Sequence, residues 1–198
     1  MDRRTGTVIR PRAIEVSILS PSVSDGMNEY EAVVYDLDGT LVDLDVDWPV
    51  VTDDVLEVYE RAGVEPPSRS LWDLLGYADE AGLQAAVEST IADHERTGAE
   101  TAPRLAHADE LLERTVPVGV CSLNCEAACR IALEEHGLAD PVDVVVGRDT
   151  VETRKPDPEP LLETVWALGV DPGAAVFIGD SDRDELTARR AGTAFEYV

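Results

Sequence analysis

Asp36-Leu-Asp-Gly-Thr-Leu-Val-Asp43 follows directly on the apolar run Ala32-Val-Val-Tyr35, and this junction decides how the chain is read. A short β-branched run of this kind fits a buried parallel strand. Gly39 then turns the chain, so Asp36 and Asp38 project into one opening at the strand's carboxyl end. Two carboxylates placed there repel each other and lose hydration, which calls for a cation or a reaction. An ordinary acidic turn is the plain alternative, and three further segments weigh against it.

Gly119-Val-Cys-Ser-Leu-Asn124 ends a second strand in a hydroxyl, Ser122, and an amide, Asn124, both able to bind a phosphoryl oxygen without adding charge. Arg154-Lys-Pro-Asp-Pro-Glu159 sets Lys155, the only lysine in the chain, just ahead of a helix start. Pro156 and Pro158 stiffen that approach, and a rigidly mounted point charge suits a transferring phosphoryl group. Phe177-Ile-Gly-Asp-Ser-Asp-Arg-Asp184 ends another strand in acids, giving Asp180 and Asp184 as hard oxygen ligands suited to Mg²⁺. Within it, Asp182 and Arg183 read as a solvent-facing charge pair. All four segments fall beyond the carboxyl ends of predicted parallel strands, where open α/β sheets bind ligands.

Outward from these segments, apolar runs at 32–35, 116–121, 142–146, 175–178 and 194–198 alternate with helices predicted at 126–136, 159–168 and 182–191. Gly137, Gly169 and Gly192 stand where left-handed helix caps are wanted. This alternation is the signature of βα units. Residues 45–103 instead carry only helical spacing: Val51, Val55, Tyr59, Ala62; Leu71, Leu74, Leu75, Ala78; Leu83, Val87, Ile91, His94. The chain therefore reads as an α/β core, 27–44 and 104–198, whose mainly parallel, doubly wound sheet is interrupted after its first strand by an all-helical cap, 45–103. Residues 1–26, comparatively rich in arginine, read as a disordered leader, with translation starting naturally at Met27.

The 41 Asp and Glu against 16 Lys and Arg leave a net charge of -25, which repels nucleic acid and anionic lipid. Such self-repulsion is tolerable in concentrated salt, where the Debye length falls to about 3 Å, and the composition reads as a halophile's solvated surface. Cys121, Cys125 and Cys129 form no CxxC pair, and an odd thiol count fits a reducing cytoplasm. They read as small buried residues rather than soft metal ligands. No apolar run approaches the roughly 20 residues of a membrane span.

In order and content the four segments resemble the haloacid dehalogenase superfamily, specifically its phosphatases with a small helical cap, over about residues 29–198. The resemblance implies a Rossmannoid core and Mg²⁺-dependent hydrolysis of a small phosphorylated metabolite through an aspartyl-phosphate. Asp36 would then be the nucleophile, with Asp38 protonating the leaving oxygen and later activating water. Asp36, Asp180 and the Asp38 backbone carbonyl would bind the metal, with Asp184 in support. Ser122 and Lys155 would hold phosphoryl oxygens, and Thr40 and Asn124 would position the loops. Asp38 argues against the metal-free dehalogenases and the ion-pumping ATPases of this superfamily. A phosphoglycolate-type substrate leads; a sugar-phosphate mutase and a non-catalytic phospholigand-binding regulator are the alternatives. The acidic Leu44-Asp-Val-Asp-Trp48 replaces the usual serine after the first motif, and the chain shown stops at its last strand.

His94, His107 and His136 share no ligand spacing and read as structural. Trp48, Trp72 and Trp166 are expected to pack in helical interiors, with Trp48 and Trp72 as the candidates for a substrate pocket. Arg61, Arg69 and Arg104 are candidates to grip a substrate carboxylate, against a default of surface ion pairs.

Overall fold

The computed structural model describes residues 30–198. The leader at 1–26 and the start at Met27 lie outside the described residues. Five strands form one parallel sheet: β1 (Ala32–Tyr35), β2 (Val118–Cys121), β3 (Val144–Val146), β4 (Ala175–Gly179) and β5 (Ala194–Tyr197), ordered β3-β2-β1-β4-β5. Chain order runs outward from β1 in one direction, then crosses to β4 and runs outward in the other. The reversal therefore falls between β1 and β4, and Asp36 and Asp180 follow the last residues of those two strands.

Alternate side chains of β1 build two cores. Val33 and Tyr35 face one layer, made with Ala108 and Leu111 of α4 (His107–Leu112) and Ala128, Cys129, Ala132 and Leu133 of α5 (Glu126–Glu135). Ala32 and Val34 face the other, made with Leu161 and Val165 of α6 (Glu159–Ala167) and Ala188 and Ala191 of α7 (Asp182–Ala191). All four β1 residues are buried, which is why they read as a continuous apolar run.

Between β1 and α4 lie α1 (Trp48–Ala62), α2 (Leu71–Tyr77) and α3 (Gln84–Ala99), which bury a third cluster of their own around Val51, Val55, Tyr59, Leu74, Leu75, Val87 and Ile91. The Tyr59 hydroxyl donates to the Leu74 carbonyl at 2.6 Å, so its one polar atom is satisfied inside that cluster. Ala62, expected on the buried face, is exposed in the last turn of α1. The segment leaves and rejoins the sheet domain at one neck. There Asp43 N donates to the Pro103 carbonyl at 2.9 Å, Val42 bridges Arg104, and Asp45 N reaches the Gly98 carbonyl at 3.4 Å. A Cβ on Gly98 would stand 2.7 Å from the Asp45 carbonyl oxygen, so the two passing segments approach as closely as only glycine allows.

Several boundaries differ from the sequence expectations. β2 begins at Val118, because Pro117 has no N–H to give a ladder. β3 begins at Val144 and β5 ends at Tyr197, while α5 and α6 each stop one residue early. The short α4 was not expected. Trp166, expected to pack, is 58% exposed on the outer face of α6.

Candidate active site

Asp36 leaves β1 buried, and its Oδ1 accepts the Leu37 amide at 2.7 Å and stands 3.0 Å from Lys155 Nζ. Lys155 is 3% exposed and gives its second bond to Asp184 Oδ1 at 2.5 Å, with its ammonium 5.2 Å from the centre of the Phe177 ring. Burial alone would lower this ammonium, but Asp36 and Asp184 outweigh it and hold the charge above its ordinary range. Burial also pushes Asp36 up to about 6, against the opposing pull of Lys155, which favours the carboxylate.

Asp184 is fixed from the opposite side by Ser181. The Ser181 hydroxyl meets Asp184 Oδ2 at 2.5 Å and accepts the Asp184 amide at 3.3 Å, while the Ser181 amide donates back at 3.2 Å. This reciprocal pair starts α7 as a capping box, so the residue that anchors Lys155 is also the third residue of a helix.

Carboxylate oxygens of Asp36, Asp180 and Asp184 lie within 4.8 Å of one another. Gly39 makes room for this cluster: it holds φ at 79°, and a Cβ there would stand 2.3 Å from Asp180 Oδ2. Three hard oxygen donors converging from two strand ends and the first turn of α7 suit a small divalent cation such as Mg²⁺. Asp38 stands outside the cluster, its Oδ1 accepting the Leu44 amide at 2.8 Å. Burial raises its carboxyl above the usual range, with smaller upward contributions from Asp43 and Asp180.

Ser122 and Asn124 close the other side of the site. The Ser122 hydroxyl donates to Asn124 Oδ1 at 2.9 Å and accepts the Asn124 amide at 3.2 Å, so the loop holds both side chains against each other. Thr40 is fully buried, and its hydroxyl finds no hydrogen-bond partner among the described residues.

Asp36, Asp38, Ser122, Asn124 and Asp180 line one cavity of about 310 Å³, roofed by Trp48 and Thr52 of α1 and Leu71 and Trp72 of α2. Thr40, Lys155 and Asp184 stand outside that lining; the ammonium supports Asp36 from within. The fold thus brings Asp36, Asp38, Ser122, Asn124 and Asp180 to one cavity, with Lys155 and Asp184 set against Asp36 behind it. Trp48 and Trp72 turn out to face the cavity. Arg183, expected to face solvent, also lines it, with its guanidinium 4.9 Å from the centre of the Trp72 ring. Arg61, Arg69 and Arg104 instead pair outside it with Glu57, Asp53 and Asp109.

Sequence reasoning missed Glu95 and Arg148. Glu95, fully buried on α3, accepts the Cys125 amide at 2.9 Å, the Asn124 side-chain amide at 3.3 Å and Arg148 Nη1 at 2.6 Å. Arg148 also donates to Glu88 at 2.9 Å and to the Leu123 carbonyl at 2.7 Å. Burial opposes the guanidinium charge, and Glu95 and Glu88 more than restore it. The helical insertion therefore reaches through a buried carboxylate to the loop carrying Ser122 and Asn124. A signal existed: Glu95 continues the buried stripe Val87, Ile91 at four-residue spacing, where a lone carboxylate requires a partner.

Comparison with known proteins identifies the family. Residues 33–198 match the family model described as haloacid dehalogenase-like hydrolase. A phosphoglycolate phosphatase of Rhodospirillum rubrum is 36% identical over 184 residues, covering 82% of this chain and 76% of that one. Among solved structures, a HAD-superfamily hydrolase of subfamily IA from Geobacter sulfurreducens is 28% identical with a TM-score of 0.58, covering 84% of this chain and 88% of that one. A putative phosphoglycolate phosphatase from Lactobacillus plantarum shares the fold at a TM-score of 0.62 and 24% identity, covering 85% and 86%.

Proposed function

We propose, from the premise that this chain belongs to the haloacid dehalogenase-like hydrolase family and is a phosphatase, that it hydrolyses small phosphomonoesters through an aspartyl-phosphate on Asp36. The observation that supports this most is the setting of Asp36: a buried carboxyl group at a strand end, one oxygen fixed by Leu37 and Lys155, facing a cavity shared with Ser122 and Asn124.

In this reading Asp36 attacks phosphorus as the bond to the leaving oxygen breaks, and Asp38 donates its proton to that oxygen. Asp38 is suited to the task because burial favours its protonated form. The resulting carboxylate then takes a proton from water, which attacks phosphorus and releases Asp36. Ser122 and Asn124 hold the phosphoryl oxygens with neutral groups, Thr40 helps to position the loop that carries Asp36 and Asp38, and Lys155 favours the ionised form of Asp36 and orients it. Mg²⁺, held by Asp36, Asp180 and the Asp38 carbonyl with Asp184 behind, would offset the repulsion between a carboxylate and an anionic ester.

We take 27–44 and 104–198 as the core and 45–103 as the cap, and 2-phosphoglycolate as the first substrate to test. Three free, buried thiols accord with a cytoplasmic enzyme. No helix among the described residues is long and apolar enough to cross a membrane. The test is hydrolysis of p-nitrophenyl phosphate in molar KCl with and without Mg²⁺, comparing wild type with Asp36→Asn. The expected result is metal-dependent turnover, reduced at least about 10³-fold in the variant. Turnover that survives in Asp36→Asn removes the covalent mechanism.

A further inference from the structure

Among the described residues lining the cavity, Arg183 is the only cation, and the other charged groups are Asp36, Asp38 and Asp180. In a chain with 41 carboxylate side chains, it is half-buried and forms no ion pair with any described residue. It also stands in the first turn of α7, where the helix dipole disfavours a positive charge. Its neighbours Asp182 and Asp184 flank it in sequence, yet Asp184 is committed to Lys155 and Ser181, and Asp182 is met by the Tyr197 hydroxyl at 3.2 Å. What holds the guanidinium is the Trp72 ring, 4.9 Å away. A guanidinium held over a ring by its charge does not spend its N–H donors on a carboxylate, and they stay available to an anion.

We infer that Arg183, braced by Trp72, binds a carboxylate on the leaving group, and so selects phosphomonoesters of small hydroxy acids over neutral ones. This rests on the phosphatase reading of the site. The phosphoryl end must sit against Asp36, Ser122 and Asn124, so what remains of about 310 Å³ is shared by a short leaving group between that end and the guanidinium. A planar carboxylate accepts two parallel N–H bonds from the fork of an arginine. Trp72 comes from the helical insertion and Arg183 from the sheet domain, so the recognition element is split between them. A neutral leaving group would leave the guanidinium without an anion.

The experiment compares kcat/KM for 2-phosphoglycolate, 2-hydroxyethyl phosphate and ethylene glycol bisphosphate in wild type, Arg183→Gln and Arg183→Lys. The expected wild-type order places 2-phosphoglycolate first, by roughly 10- to 100-fold over the hydroxyethyl ester, as for one charged hydrogen-bonding contact. Arg183→Gln should collapse that ratio toward one, chiefly through KM, and Arg183→Lys should retain part of it, because it keeps the charge and loses the fork. Thermal melts of both variants within about 3 °C of wild type establish that the fold is intact. Equal rates on the acid and the neutral ester, or a ratio unchanged in Arg183→Gln, overturn the inference while the phosphatase reading stands. Preference for the bisphosphate overturns the choice of carboxylate. Absence of metal-dependent turnover of every ester, p-nitrophenyl phosphate included, removes the phosphatase reading and the inference with it.

Discussion

Glu95 leaves the helical insertion to hold a loop of the sheet domain, and its partner Arg148 is almost as buried. Breaking such a pair from one side leaves the other charge short of a partner, a loss on the order of 3–5 kcal/mol. Glu95→Gln should fall at the lower end of that range, since Arg148 keeps Glu88. Denaturant titration monitored by circular dichroism reads it, and a change within about 0.5 kcal/mol would contradict the link. The thiols give a second test. Burial pushes Cys121 up to about 12 and Cys125 up to about 11, with Cys129 also raised, against an ordinary value near 9. At pH 8.5 the unfolded chain therefore exposes a substantial thiolate fraction while the folded chain keeps its protons. Iodoacetamide should label native protein far more slowly than protein in denaturant, and the gap should close only as pH rises through the folded values. Equal labelling of native and denatured protein, followed by mass spectrometry, would refute it. At this scale Asp36, Asp38 and Asp180 were legible because each is an acid at the end of an apolar run, and Lys155 because it is the only lysine and stands ahead of two prolines and a helix start. Arg183 was not, since its partner Trp72 lies 111 residues away in sequence, and Glu95 showed only as a carboxylate on a buried stripe, its partner Arg148 lying 53 residues away.

Elements were legible where their own residues decide them. α7 matches its expected span because both ends are chemically marked, by the Ser181 and Asp184 box at one and by Gly192 at φ 80° at the other. β2 and β3 begin later than their apolar runs because pairing, not hydrophobicity, starts a strand, and pairing depends on a neighbour elsewhere in the chain. α4 was missed because six residues are too few to display a period. The Ser181 box carries the element-scale prediction. Ser181→Ala removes the hydroxyl that both accepts the Asp184 amide and steadies its carboxylate, and should lower unfolding free energy by about 1 kcal/mol. An unchanged denaturation midpoint would show that the Ser181 amide alone fixes Asp184.

For the whole molecule, alternating βα patterning announced a parallel sheet, but the order β3-β2-β1-β4-β5 is a property of the folded chain and was not read in advance. The net charge of -25 acts at this scale too. Raising KCl from about 0.1 M to about 1 M shortens the Debye length from roughly 10 Å to 3 Å and should raise the melting temperature progressively. A melting temperature flat or falling over that range would mean that surface repulsion does not govern stability. The neck at Asp43–Pro103 and Asp45–Gly98 bears on the history and engineering of the chain. Because the polypeptide departs and returns at one point, the three helices form a cassette that a short linker could replace without displacing any strand. Such an exchange would carry Trp48, Thr52 and Trp72 away as a unit while Arg183 stays with the sheet domain, on one condition: the incoming cassette must bring its own carboxylate for Arg148, or the arginine must be removed with the old one.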